Sequence, residues 1–220
     1  MTLVSNKPLF ISVEGVDGSG KTTQLNLFCE WLMAENVDFI RTREPGGTEV
    51  GTAIRKLLLE GDGDKFDGLS ELFLFSADRH EHLRQLILPA LSNGQWVITD
   101  RFADSTTVFQ SVARGLPREV VQQVSQLAVG QHWPDVTFIL DISYEEGLAR
   151  KQAQAEEGLQ ETRMESLGAE FHQKVRQGYQ QIATETPERC HLIDARGSID
   201  EVQQRLRDAL TNYLTKAAAA

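Results

Sequence analysis

The sequence predicts a three-layer α/β domain: a five-stranded parallel sheet with helices on both faces. Two observations predict it. Short apolar, β-branched runs alternate with longer segments of helical periodicity, the pattern of strands linked by crossover helices. The first run feeds into GVDGSGKTT, Gly15 to Thr23, in which Gly15, Gly20, Lys21 and Thr22 fill the positions of G-x-x-x-x-G-K-[ST]. A strand, that loop and a helix in succession specify the P-loop NTPase type of α/β domain.

The elements follow in order. Pro8 to Glu14 is apolar and β-branched, so it forms the first strand. Leu25, Leu27, Phe28, Trp31 and Leu32 recur at helical spacing, and this first helix runs to about Glu35. Val37 to Arg41 is a second strand. It ends at TREPGGT (Thr42 to Thr48), where Pro45, Gly46 and Gly47 stop regular structure. A helix from Glu49 to about Glu60 carries Arg55, and GDGDKFDG makes a surface turn. A long helix from Leu69 to about Leu91 is stopped by Asn93-Gly94. Gln95 to Thr99 is nearly all apolar, as suits the middle of a parallel sheet, and leads to Asp100-Arg101. DRFADSTTVFQ enters another helix. Gly115-Leu-Pro117 opens the next, which reaches about Gly130. Asp135 to Asp141 and Cys190 to Asp194 are the fourth and fifth strands, and a helix from Ile199 to about Leu214 closes the domain. The expected organisation is one domain over 1–220, with its core at 8–216 and a frayed Ala-rich tail.

The glycine-rich loop dictates chemistry. Its glycines let successive N–H groups converge on an anion at a helix N-terminus, where the helix dipole favours negative charge. The candidate ATP-binding set is therefore Gly15, Val16, Asp17, Gly18, Ser19, Gly20, Lys21, Thr22 and Thr23. Lys21 supplies a point charge to the terminal phosphates, and the Thr22 hydroxyl is a candidate Mg²⁺ ligand.

Composition limits the partners. A formal net charge of -10 argues against a nucleic-acid polymer or an anionic membrane held by general electrostatics. No stretch has the length and apolarity of a signal peptide or membrane span. Cys29 and Cys190 lie far apart without metal-site spacing, as expected of reduced thiols in a cytoplasmic protein. An acidic chain binds anions only where it concentrates its cations. Here they fall at the strand ends, the edge at which parallel sheets hold ligands: the loop itself, Arg41 to Arg43, and Asp100-Arg101.

Arg43, Arg55, Arg79, Arg101, Arg150, Lys151 and Arg163 are more cations than one triphosphate needs. No guanine-specificity motif such as Asn-Lys-x-Asp follows a strand. A kinase acting on a phosphate acceptor has this requirement. Its nucleophile is already anionic, so the main barrier is repulsion between two anions held in line, which cations and Mg²⁺ relieve. Asp17 would repel a phosphate, so it points elsewhere, towards a sugar hydroxyl or solvent.

EGVDGSGKTT, TREPGGT, FSADR, and DRFADSTTVFQ followed by ARGL together resemble the bacterial thymidylate kinase family. The resemblance runs in order from about residue 9 to WPDVTFILD at 141, and more loosely to the terminus. It implies phosphoryl transfer from ATP to dTMP with Mg²⁺, in a homodimer. The Gln-rich, apolar helix 118–130 is a candidate dimer surface. Asp17 would bind the acceptor 3′-hydroxyl, and Arg43, Arg55 and Arg101 would approach its phosphate. Phe75 would stack on thymine; without the resemblance it reads equally as core packing. Arg79 would donate to a thymine carbonyl, or else be a plain helix charge. Ser105, Thr106 and Gln110 would lie near the base or sugar edge, and Phe109 would crowd the 2′ position. Asp100 would hold Mg²⁺ or steady Arg101, or else only cap its strand.

The chain departs from the family in the lid, ARKQAQAEEGLQETRMES (149–166), where Gln152 and Gln154 stand in place of further cations. Arg150, Lys151 and Arg163 are the candidates left to meet the transferring phosphoryl group. Two alternatives remain at this point. A kinase for another nucleotide or nucleoside would show turnover with a different acceptor. A nucleotide-switched binding module would bind triphosphate without acceptor-dependent turnover.

Overall fold

The computed structural model describes residues 3, 5, 7–61, 65–154 and 168–219. Its centre is a five-stranded, wholly parallel sheet in the order β2-β3-β1-β4-β5. The strands are β1 (Phe10–Gly15), β2 (Phe39–Arg43), β3 (Trp96–Asp100), β4 (Val136–Asp141) and β5 (Cys190–Asp194). β1 is central, and its side chains alternate between the faces. Leu9, Ile11 and Val13 join one core with Phe28, Leu32, Phe138, Tyr179 and Leu210. Phe10 joins another with Val97, Phe102, Ile87 and Val129. Covering the sheet are α1 (Lys21–Ala34), α2 (Glu49–Leu59), α3 (Gly68–His82), α4 (Leu88–Ser92), α5 (Ala103–Thr106), α6 (Arg118–Val129), α7 (Tyr144–Gln154), α8 (Gly168–Glu185) and α9 (Ile199–Ala219).

The structure differs from the expected elements in five places. β2 lies two residues later than the pattern suggested, because its ladder pairs Arg43 with Asp100 on β3. The long helix expected over 69–91 widens into a π-helix at Leu83–Ile87 before α4. A second π-helix, Thr107–Ala113, follows α5; such widened turns cluster at functional sites. The C-terminal alanines continue α9 to Ala219 instead of fraying, in keeping with the highest intrinsic helix propensity. Finally, α8 was absent from the expected elements.

Register brings the site together. Arg43 pairs with Asp100, and Asp100 pairs with Val13, so the carboxyl ends of β2, β3 and β1 finish side by side. The phosphate loop leaves β1, the central strand of the five. Gly15 is required there. Its φ is +142°, and a Cβ would stand 2.6 Å from the Leu140 carbonyl oxygen.

Candidate active site

The loop Val16–Gly20 joins β1 to α1, and Lys21 is the first residue of the helix. Lys21 Nζ donates to the carbonyls of Gly15 and Val16 at 3.0 and 3.1 Å, which folds the ammonium across the loop. Burial pushes its pKa down to about 8, with Arg101 adding to the shift and Asp17 opposing it. The loop also touches α7 backbone to backbone. A Cβ on Gly18 would fall 2.1 Å from the Gly147 carbonyl oxygen, and one on Gly147 would fall 2.7 Å from that of Asp17. The helix that enters the lid segment therefore rests directly on the phosphate loop.

Beside the loop lies a cleft with about 170 Å³ of free space. Its apolar wall is Pro45, Leu59, Phe75, Phe102 and Phe109, and its polar groups are Asp17, Glu44, Arg55, Arg79, Arg101, Ser105 and Thr106. Eight of the ten residues expected to bind substrate line it: Asp17, Arg55, Phe75, Arg79, Arg101, Ser105, Thr106 and Phe109. Phe75 faces the cleft rather than either core.

Two of the ten lie elsewhere. Arg43 is exposed and lines a neighbouring crevice with Thr22 and Asp100, on the side of the phosphate loop. Gln110 is fully buried and donates from Nε2 to Glu71 Oε2 at 2.9 Å. It does not line the cleft, and its Oε1 has no protein partner among the described residues. At α-helical spacing Gln110 would follow Thr106 on one face; the wider turn of Thr107–Ala113 carries it off that face and onto Glu71.

Arg79 is not a free helix charge. It is 1% exposed; Nε donates to Glu44 Oε2 at 2.8 Å, Nη1 to Thr106 Oγ1 at 2.9 Å and Nη2 to the Phe102 carbonyl at 3.1 Å. Since Thr106 Oγ1 accepts from Arg79, its own proton is directed away from the guanidinium. Glu44 Oε1 contacts His82 Nδ1 at 2.9 Å, and His82 Nε2 contacts Thr42 Oγ1 at 2.7 Å. Asp78 accepts from the Gly46 N–H at 3.0 Å and so ties the REPGG turn to α3.

Arg101 joins the cleft to the loop. Its φ is +69°, a left-handed conformation uncommon outside glycine, which its surroundings must hold in place. Its N–H donates to the Val13 carbonyl, and its own carbonyl accepts from Thr99 Oγ1. Nη2 donates to Asp17 Oδ1 at 3.0 Å, and Nη1 to Ser105 Oγ and Tyr179 Oη at 3.2 and 2.9 Å. The guanidinium lies 5.3 Å from the centre of the Phe109 ring.

Thr22 and Asp100 share the second crevice. Asp100 Oδ1 is buried with no protein partner among the described residues, so a cation is the natural occupant of that lone pair. No set of three metal-ligating side chains occurs among the described residues. These two groups thus fit a Mg²⁺ whose remaining ligands come from nucleotide and water. In the lid, Arg150 is half-buried on α7. Arg163 and the Lys151 side chain lie outside the described residues.

Sequence reasoning passed over three residues of this neighbourhood: Glu14, Glu44 and Tyr179. A glutamate inside an apolar strand and another inside the quoted REPGG turn were visible signals for the first two. Nothing local marks Tyr179, which arrives from α8.

The family model for thymidylate kinase matches residues 13–206. The thymidylate kinase of Jannaschia sp. (strain CCS1) is 44% identical over 210 residues, covering 96% of this chain and 99% of that one. The thymidylate kinase of Ruegeria pomeroyi is 40% identical over 213 residues, 97% of this chain and 99% of that one. Among solved structures, thymidylate kinase from Ehrlichia chaffeensis superposes with a TM-score of 0.75 at 34% identity, over 93% of this chain and 99% of its own. The chain belongs to the thymidylate kinase family.

Proposed function

We propose that the protein transfers the γ-phosphoryl group of ATP to dTMP, giving dTDP and ADP. The observation that carries this reading is the cleft: a flat apolar wall over a buried Arg79–Glu44 floor, opening through Asp17 and Arg101 onto the phosphate loop.

In this reading thymine lies against Phe75, with Arg79 and Thr106 as hydrogen-bond donors to its carbonyl edge. Asp17 accepts from the 3′-hydroxyl, and Phe109 leaves no room for a 2′-hydroxyl. Arg101 and Arg55 hold the acceptor phosphate, while Lys21 meets the terminal phosphates of ATP. Arg43 faces the same crevice as Thr22 and Asp100, where it offsets charge between donor and acceptor. The acceptor oxygen is already anionic, so no general base is needed; the residues bind, align and neutralise. Mg²⁺, held by Thr22 and Asp100, would supply further neutralisation of the transferring phosphates. Arg150, Lys151 and Arg163 complete the cationic shell from the lid.

A homodimer fits the exposed apolar side chains. Val50 and Leu57 on α2, Leu69 and Phe73 on α3, and Leu127 on α6 are each exposed on helices that pack against one another in series. α6 is the helix nominated from the sequence, and α2 and α3 extend its face. A cytoplasmic location accords with two buried free thiols and with a helix set, among the described residues, in which none is long and apolar enough to cross a membrane.

ADP release in the presence of ATP and Mg²⁺ tests the reading, with dTMP, dUMP, UMP, AMP, CMP, GMP and thymidine as acceptors. Turnover with dTMP well above the rest is expected. Strong turnover with another acceptor would discard the assignments of Phe75 and Arg79.

A further inference from the structure

Glu14, the penultimate residue of the central strand, is a carboxylate with 0% exposure, close before the phosphate loop. Four donors surround it. The Phe102 N–H and Ser12 Oγ reach Oε1 at 2.7 and 3.1 Å, and Ser105 Oγ and Tyr179 Oη reach Oε2 at 2.6 and 2.9 Å. These equal the lone pairs a carboxylate offers, so each oxygen is satisfied twice. Arg101 Nη1 stands 4.0 Å from Oε2, near enough to balance the buried charge without a direct hydrogen bond.

Tyr179 closes this arrangement. Its ring is packed in the core at 1% exposure, while its hydroxyl accepts from Arg101 Nη1 and passes its own proton to Glu14. With Ser105 and Asp17, Tyr179 occupies both Nη1 hydrogens and one on Nη2. The Nε–H and the other Nη2–H have no protein acceptor among the described residues. Nε and Nη2 lie on the same edge of the guanidinium, which is the fork that meets a phosphate with two bonds.

We propose that Tyr179 and Glu14 are positioning residues: they hold Arg101 by its far edge so that its Nε/Nη2 edge faces the acceptor phosphate. The inference rests on the assignment of Arg101 to that phosphate. It explains why a left-handed arginine is tolerated, since backbone strain of this kind persists only where the surroundings over-determine it. It also gives α8 a part in acceptor binding, although no residue of α8 lines the cleft.

The test compares dTMP with thymidine, which shares every pocket contact except the phosphate. Their affinities would be measured by calorimetry for the parent protein and for Tyr179→Phe, which keeps the ring and removes the hydroxyl. Loss of one charge-assisted contact on Arg101 should weaken dTMP about tenfold and leave thymidine within about twofold. Glu14→Gln should give the same split, which covers the case in which Tyr179→Phe folds poorly. Equal weakening of both ligands would show a general packing role, and parent-like affinity for both would show none; either overturns the inference. A parent protein that binds dTMP no better than thymidine would overturn the assignment of Arg101 to phosphate, and the inference with it.

Discussion

Glu44 and Arg79 form a buried ion pair, Nε to Oε2 at 2.8 Å, with each side chain 2% exposed. The pair joins the turn after β2 to the last turn of α3 and forms the floor of the cleft. Removing one member leaves the other charged, buried and unmatched, which is far worse than losing the pair. Arg79→Ala should therefore cost about 3–5 kcal/mol of stability in urea denaturation, besides weakening dTMP. The double variant Glu44→Gln/Arg79→Met should recover at least half of that stability and none of the dTMP affinity. A stable Arg79→Ala would show that the pair contributes little to the fold.

Asp78 makes a pH prediction. Burial, with Glu44 adding to it, pushes its carboxyl up to about 6 against the pull of the Gly46 N–H, Arg79 and His82. A raised folded-state pKa means that the folded chain holds this proton more tightly than the unfolded chain. The stabilisation is complete below the ordinary aspartate value and is lost as pH rises through about 6. Asp78→Asn removes the titration and keeps an acceptor for Gly46. Its stability relative to the parent should therefore improve by roughly 2 kcal/mol between about pH 4.5 and pH 7.5, read from thermal unfolding at the two values. A difference that does not change with pH would place the Asp78 pKa near its usual range.

The fold was largely legible because parallel strands buried on both faces read as short apolar runs, as β1, β3 and β4 do, while the edge strands β2 and β5 are more polar and partly exposed. Their bounds drifted by up to two residues at β2, where pairing with β3 fixes the ends and the chain's own pattern does not. α8 was legible only in part: Phe171, Val175, Tyr179 and Ile182 recur at helical spacing, but they stand among many polar residues. The cleft's direct contacts were legible through motifs. The groups behind them were not, since Glu44, Glu14 and Tyr179 meet arginines that lie 35, 87 and 78 residues away in sequence. Gln110 shows the opposite limit: a π-turn sets this motif residue against Glu71, behind the cleft lining, and no composition rule signals it.

Under the proposed function, Phe109 is the residue that would discriminate between sugars. Its ring is 9% exposed, lies beneath the Arg101 guanidinium and packs 5.9 Å from the Phe171 ring. Phe109→Ala should narrow the preference for dTMP over its ribose counterpart, ribothymidine monophosphate, by about tenfold in kcat/KM. It should also cost about 3 kcal/mol of stability through the cavity left in the core. Unchanged sugar preference would remove Phe109 from that role.

Lys21 separates chemistry from fold. Its ammonium is buried and, among the described residues, held by loop carbonyls and the more distant Asp17, so Lys21→Ala should leave the melting temperature unchanged or slightly raised. The central claim is tested most directly by following γ-labelled phosphate from ATP, with dTMP and Mg²⁺ present, in the parent protein and in Lys21→Ala. The account predicts label in dTDP, formed one for one with ADP, and about a thousandfold slower transfer in the variant. Label appearing as inorganic phosphate regardless of dTMP, or equal transfer by both proteins, would contradict it.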